Sequence, residues 1–351
     1  IRNDRGFVAA LDHSGGSTPK TLVGYALAPD AWSSEADMFE LIHSMRCRIL
    51  ASPAFSADRI LAAILFERTL EGSIEGVPVP RYLHDKGILP LLKVDQGLED
   101  ERNGVQLMKP LSELDRLLQS ARKHRVLGTK MRAVIKSANP IGIAAVVRQQ
   151  FELADHIADH GFLPILEPEY DIYARDRAEG EALLRERLME ELDRRPNAHP
   201  IMLKLSIPAQ ANAYLPLVAH PRVAKVVALS GGFSRAEACR RLAMNKGMVA
   251  SFSRALISDL RDTMSSNDFD AALESHVVKS GWFREKPSVA VRRWFIRGIA
   301  AVVIGVGLIV LAFNIPMSGL TLVGGAAEIG GIVLMVIAGL ERISSGSIAV
   351  D

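Results

Sequence analysis

Ile201-Met202-Leu203-Lys204-Leu205-Ser206-Ile207 has the apolar run of a buried strand with one ammonium group in its middle. A charge placed there loses its hydration, so it must find partners or give up its proton. A lysine kept neutral in this way is a nucleophile towards a carbonyl. Taken alone, Lys204 reads more plainly as a strand-end lysine that reaches solvent or pairs with a carboxylate. The stretches around it decide between the two readings.

Outward from this run, strand-like and helix-like segments alternate. Candidate strands are Phe7–Asp12, Ala62–Phe66, Leu89–Asp95, Gly128–Ile135, Leu163–Glu169, Ile201–Ile207, Val226–Ser230 and Val249–Ser253. Amphipathic stretches lie between them, among them Glu35–Arg46, Ser112–Lys123, Ile141–His160, Asp176–Arg195 and Arg235–Asn245. Ser234 with Glu237 reads as a capping box that opens the last of these. About eight strands separated by helices indicate a (β/α)8 barrel, with a doubly wound open sheet as the runner-up. No internal repeat or low-complexity tract is visible.

Polar residues inside these strands follow a pattern. Lys93 and Asp95, Lys130 and Arg132, and Glu167 and Glu169 are each spaced i, i+2. Side chains at that spacing share one face of a strand. Asp12 ends the first strand and Ser230 the seventh. A barrel interior is ordinarily filled by branched apolar residues. Here several strands direct charge to one side near their C-terminal ends. Any single pair could point outward to the helices, but agreement over several strands argues for a polar site at that end.

Composition narrows the class. A chain of 351 residues accommodates a barrel of about 250 residues plus an appendage. Its formal charge of +2 makes no electrostatic case for nucleic acid. Two cysteines, Cys47 and Cys239, cannot build a disulfide framework, and neither lies in a CxxC, so a reducing cytoplasmic setting is expected. No secretory signal opens the chain, and a strand beginning near Gly6 suggests that residues before Ile1 are missing.

Near residue 283 the composition changes. After Arg292-Arg293-Trp294-Phe295-Ile296-Arg297 comes an uncharged run from Gly298 to Phe313. The turn-like Asn314-Ile315-Pro316-Met317-Ser318 follows, then a second apolar stretch from Gly319 to Leu340 broken only by Glu328. Each run approaches the roughly 20 residues needed to cross a bilayer as a helix. The expected organisation is a barrel over 1–282, a basic linker over 283–297, a transmembrane helical hairpin over 298–343 and a tail over 344–351. Arginines flank the hairpin and its loop is uncharged, which puts both ends and the barrel on the cytoplasmic side, anchored through residues 298–340. Glu328 costs a few kcal/mol at mid-membrane, and its glycine-rich surroundings suggest a helix–helix contact. A buried helical pair or a foreign sequence joined to the gene is the alternative.

Several motifs occur in a fixed order: Ala9-Ala10-Leu11-Asp12-His13-Ser14-Gly15-Gly16-Ser17, Leu92-Lys93-Val94-Asp95, Gly128-Thr129-Lys130-Met131-Arg132, Leu166-Glu167-Pro168-Glu169, Met202-Leu203-Lys204, Leu229-Ser230-Gly231-Gly232 and Ala250-Ser251-Phe252-Ser253-Arg254-Ala255-Leu256. Together, from about Gly6 to Ala272, they resemble class I fructose-bisphosphate aldolase in its shorter bacterial form. The resemblance implies a metal-independent carbon–carbon lyase of glycolysis and gluconeogenesis, needing no cofactor, that cleaves fructose 1,6-bisphosphate reversibly. It implies that Lys204 forms the Schiff base and that Lys130 lies close to that nucleophile. A neighbouring ammonium disfavours a second positive charge and helps to keep Lys204 neutral. Lys130 can equally pair with Glu167 or Glu169.

By the same resemblance Glu167 is the general acid/base, with Glu169 as the carboxylate beside it. Pro168 between them keeps both extended. Asp12 orients the imine and the C4 hydroxyl, where otherwise it would read as a turn cap. Ser230-Gly231-Gly232 ahead of the helix capped by Ser234 can hold an anion with backbone N–H groups, and Ser253 and Arg254 complete that C1-phosphate site. Ser14, Ser17, Lys20 and Lys93, with Arg132, are placed for the C6 phosphate. Family members carry a C-terminal tyrosine that assists proton exchange. Glu274 to Phe283 has none, and His276 is the substitute considered.

Three other readings stand beside this one. A metal-dependent aldolase needs clustered zinc ligands, whereas among nine histidines only His156 and His160 show i, i+4 spacing, which reads as a solvated helix face. A Schiff-base lyase for another phosphosugar would use the same barrel. A membrane-held scaffold that binds sugar phosphate without turnover would have no need of Lys204, Glu167, Asp12 and Lys130 together. A homo-oligomer is compatible with all of these.

Overall fold

The computed structural model describes residues 6–280, except 13–17, 29 and 196–198. The chain divides into two units, Ile1–Phe283 and Arg284–Asp351, and the described residues all belong to the first. The apolar runs read as a membrane hairpin lie outside the described residues. Among the described residues no helix is long and apolar enough to cross a membrane.

Eight parallel strands form the frame: β1 (Phe7–Leu11), β2 (Ile60–Leu65), β3 (Leu89–Lys93), β4 (Gly128–Ile135), β5 (Leu163–Tyr170), β6 (Ile201–Ser206), β7 (Val223–Leu229) and β8 (Met248–Ala250). They pair in sequence order from β1 to β8, and β8 returns beside β1, so the ring is nearly closed. The barrel expectation holds over the open-sheet one. The larger helices on the outside are α1 (Glu35–Ala51), α2 (Leu114–Lys123), α3 (Pro140–Asp159), α4 (Arg177–Asp193), α5 (Arg235–Ala243) and α6 (Ser266–Ser280).

Two side-chain layers follow from the period of two along each strand. Val8, Ala10, Ala62, Ile64, Leu91, Ile165, Met202 and Val227 pack against one another inside the barrel. Their chain neighbours Ala9, Leu11, Ala63, Leu92, Leu166, Leu203 and Ala228 turn outward into the larger core shared with the helices. The second layer needs amphipathic helices, and α3 illustrates how they form. Asn139 caps it by accepting from the N–H groups of Ile141 and Gly142, each at 3.0 Å, with Pro140 in the first turn. Ile143, Val146, Val147, Phe151, Ala154 and Ile157 then recur on its buried face. Gly161, at φ +83°, ends it in the left-handed conformation that glycine adopts without penalty.

The capping box forms only in part. Ser234 accepts from the Glu237 N–H at 3.3 Å, but the Glu237 carboxylate turns forward to Arg240 and Arg241. Elements not named from the sequence include α6, of 15 residues, and short pieces: a hairpin at Ser73–Ile74 and Val77–Pro78, and Val105–Gln106, which pairs antiparallel with the end of β4. β8 stops at Ala250, so Ser251 and Ser253 lie beyond the sheet.

The last described segment is fastened to the first helices by Arg48 of α1. Its guanidinium donates to the carbonyls of Arg261, Asp262, Met264 and Ser265 and lies 4.1 Å from the centre of the Phe269 ring. Arg59 adds an ion pair with Glu274 of α6.

β4 and β5 pair over eight residues, which sets Arg132 beside Glu167. Gly128 permits the start of that ladder, because a Cβ there would stand 2.0 Å from the Leu163 carbonyl oxygen. Gly128→Ala is therefore expected to destabilise the fold by about 2 kcal/mol or more, since backbone must shift to admit the methyl. A urea midpoint indistinguishable from that of the parent chain would show that the strands separate without cost.

Candidate active site

Continuing the inward-facing rows of β1, β3, β5 and β6 one step past their apolar residues brings each to a polar one. Ala10 is followed by Asp12, Leu91 by Lys93, Ile165 by Glu167 and Met202 by Lys204, each two positions on. The polar site is the next layer of the barrel interior, reached at the C-terminal ends of the strands. A cavity of about 630 Å³ opens above it.

Lys204 is 4% exposed and its Nζ lies 3.0 Å from Glu167 Oε1. The other oxygen of that carboxylate, Oε2, is 3.1 Å from Lys130 Nζ. Lys130 also meets Asp12 Oδ2 at 2.6 Å and Asp95 Oδ2 at 3.6 Å. Burial alone would drive this ammonium to lose its proton. The charges of Asp12, Glu167 and Asp95 outweigh it and hold the Lys130 pKa well above the ordinary lysine value. Lys93 pairs with the second oxygen of Asp95 at 2.8 Å.

The strand end carrying Lys204 is held by side chains outside the cavity. Ser206 Oγ donates to the Tyr170 carbonyl at 2.6 Å and accepts from the Tyr170 N–H at 3.0 Å, locking β6 to β5. Beyond it, the buried pair Arg177–Glu181 of α4, 2.7 Å apart, grips the next residues. Arg177 donates to the Ile207 carbonyl, and Glu181 accepts from the Ala209 N–H at 2.7 Å.

One step higher, Glu169 turns to Arg132 rather than to Lys204, and the two form an ion pair. Burial opposes the Arg132 charge, but Glu169 and Glu167 hold its pKa above the usual arginine value. The two glutamates predicted to act side by side thus face different partners. Lys20, Lys93, Arg132, Ser230, Gly231 and Ser253 all line the cavity. Gly231 and Gly232 have φ of +60° and +128°, and a Cβ on Gly231 would come within 2.6 Å of Ile172. Only glycine suits such a turn, which exposes successive N–H groups. Ser14 and Ser17 lie outside the described residues, as does the side chain of Arg254, whose backbone opens the short helix Arg254–Ile257.

Asp95 and Ser251 complete the site beyond the predicted residues. Asp95 was visible as the i, i+2 partner of Lys93. Ser251, 2% exposed, lines the cavity just past β8. Arg46 gave no such signal. It is 1% exposed on α1 and donates to Thr69 Oγ1 at 2.8 Å. Burial pushes its pKa down to about 10, against the pull of Asp12. His276 is not among the residues lining this cavity. Its Nδ1 bonds the Leu256 carbonyl at 2.9 Å and its Nε2 lies 3.2 Å from Asp259, so both ring nitrogens are engaged.

No family model matches the chain. It is 50% identical over 278 residues to the class 1 fructose-bisphosphate aldolase of Porphyromonas gingivalis, which spans 79% of this chain and 94% of that protein. With the class 1 fructose-bisphosphate aldolase of Synechocystis sp. it shares 49% over 280 residues, 80% of this chain and 93% of the relative. Among solved structures the fold is similar to that of fructose-bisphosphate aldolase from Plasmodium falciparum. The TM-score is 0.61 over 78% of this chain and 87% of that one, at 21% identity. With about half of the aligned residues identical over nearly the full length of two such proteins, the chain belongs to the class 1 fructose-bisphosphate aldolases.

Proposed function

We propose that the chain cleaves fructose 1,6-bisphosphate reversibly to dihydroxyacetone phosphate and glyceraldehyde 3-phosphate through an imine on Lys204. The observation that carries this reading is the Glu167 carboxylate shared between Lys204 and Lys130 at the floor of an open cavity. An amine beside a carboxylate has somewhere to put its proton before it attacks, and the same carboxylate can return it.

The steps balance on these residues. Lys204 Nζ passes a proton to Glu167 and attacks C2 of the keto sugar, and the carbonyl oxygen takes the proton that the newly bonded nitrogen sheds, giving a neutral carbinolamine. Glu167 protonates the hydroxyl, water leaves, and an iminium remains. Asp12 takes the C4 hydroxyl proton, the C3–C4 bond breaks, and its electron pair flows into the iminium to form an enamine. Glyceraldehyde 3-phosphate departs. The proton held by Asp12 passes to C3, and water hydrolyses the imine to free Lys204 and dihydroxyacetone phosphate. Lys130 stays a cation throughout and keeps the Asp12 and Glu167 carboxyl groups aimed as they take up and return protons.

The substrate is anionic at both ends, and the cavity has donors for both. Ser230, the N–H groups of Gly231 and Gly232, Ser253 and Arg254 take the C1 phosphate. Lys20, Lys93 and Arg132, with Ser14 and Ser17, take the C6 phosphate, and Arg132 then exchanges Glu169 for phosphate oxygen. Residues 298–340 we infer, on their sequence pattern, to be a membrane hairpin that holds the barrel at the inner face of a bilayer.

Lys204→Ala is expected to lower cleavage by about four orders of magnitude while the circular dichroism spectrum is retained. Borohydride treatment with dihydroxyacetone phosphate should leave a reduced adduct on the peptide carrying Lys204. A folded sample with bound sugar phosphate and no adduct would favour a binding scaffold. Lys130→Met removes the ammonium that Asp12, Asp95 and Glu167 share, leaving Glu167 to Lys204 and Asp95 to Lys93, and a loss of about 3 kcal/mol is expected at neutral pH. Thermal melts indistinguishable from those of the parent chain would show that the shared ammonium does not hold these strands together. Deleting residues 290–351 is expected to leave a soluble, active barrel, and detergent dependence of the truncated chain would contradict the anchor reading.

A further inference from the structure

At the opposite end of the barrel from the cavity, three side chains with metal-ligand chemistry meet on the helical layer. His156 and His160 stand one turn apart at the C-terminal end of α3, three residues before β5 begins. The sequence left them as a solvated helix face. The fold brings Asp115 of α2 to them, with its Oδ1 2.7 Å from His156 Nε2. One ligand atom from each of the three residues lies within 4.8 Å of the other two.

His160 is already oriented as a ligand. Its Nδ1 donates to the His156 carbonyl at 2.8 Å, which leaves the lone pair of Nε2 free. Metal-binding histidines are commonly fixed in this way, one nitrogen on a carbonyl and the other on the ion. The two rings are 4.6 Å apart between centroids and tilted by 49°, so they converge rather than stack flat. The end of α3 is separately tied down by Arg122 of α2, which donates to the His160 carbonyl at 2.7 Å. The two helices that would share an ion are therefore held together before it arrives.

We propose that Asp115, His156 and His160 form a surface site for a borderline divalent transition metal, with Zn²⁺ the natural occupant and water as fourth ligand. Two imidazoles and one carboxylate suit such an ion, and they leave a tetrahedral position open. Metal–ligand bonds of about 2.0–2.1 Å place donor atoms about 3.3 Å apart in a tetrahedron. His156 and Asp115, 2.7 Å apart, have to part by roughly half an ångström, the ion replacing the proton between them, while ligand atoms now as much as 4.8 Å apart draw in. All three side chains lie at or near the surface, 45% exposed for His156 and 70% for Asp115, so small rotations suffice. The site is remote from the carboxylates and lysines of the cavity. Its effect is on stability, through a clip between α2 and α3, at the barrel face where structural rather than chemical roles reside.

The test is calorimetric titration of the metal-free full chain with Zn²⁺, repeated on His156→Ala, His160→Ala and Asp115→Asn. The expected result is one Zn²⁺ per chain with a micromolar Kd, weakened at least about tenfold in each variant. Zinc at a hundredfold excess over Kd should raise Tm by about 5 °C in the parent chain and not in His156→Ala. Substituting Co²⁺ should give the intense visible absorption of a tetrahedral site. Absence of binding at submillimolar Zn²⁺ would overturn the proposal. Binding unchanged in a His156→Ala/His160→Ala double variant would overturn it equally, because the ion would then be held elsewhere.

Discussion

The Lys130 ammonium is the interaction around which the barrel is organised. Three carboxylates reach it, from Asp12 just past β1, Asp95 just past β3 and Glu167 on β5, while Lys130 itself rises from β4. Taking these charges out of water costs several kcal/mol for each ion, and only close contact with opposite charge offsets it. That contact exists only when all four strands stand at the right height. A slip of one residue in any of them would turn its charged row outward and leave the others uncompensated. The network thus fixes strand register at the level where Lys204 needs its carboxylate.

Below that level the interior is a plug of small and branched residues, and above it lies open space. Lys204 stands at the boundary between the two. Its stem emerges from the plug beside Met202, while its nitrogen meets the only carboxylate it shares with Lys130 among the described contacts. Packing fixes the stem, and electrostatics fixes the tip. Ser206 and the Arg177–Glu181 pair add a third restraint by holding the backbone just beyond.

Much of this was legible in the sequence because a strand has a period of two. The i, i+2 spacing of Glu167 with Glu169 and of Lys130 with Arg132 placed each pair on a shared face, and parity with Ile165 and Met202 makes that face the inner one. What the period cannot give is which partner a side chain on that face will choose. Glu169 went to Arg132, and Asp95, seen only as half of a pair, joined the Lys130 shell. Arg46 was illegible for another reason. On an amphipathic helix an arginine that reaches inward looks like one that reaches outward, since its long stem permits both. The Asp115–His156–His160 cluster depends on contact between two helices, and no spacing within one of them could reveal it.

Arg48 has a bearing on how the molecule comes into being. One guanidinium on the second described helix of the chain gathers four carbonyls from a segment more than 210 residues later. On a ribosome adding roughly 5–20 residues per second, Arg48 emerges some ten to forty seconds before its partners exist. Throughout that interval β1 has only β2 beside it, and its other edge waits for β8. The nascent barrel is an open, curling sheet with an exposed edge strand, protected only by the shortness of its five residues. Closure is a late event, completed when the last described helix, α6, docks, and until then the half-built chain presents an open edge on which it can aggregate.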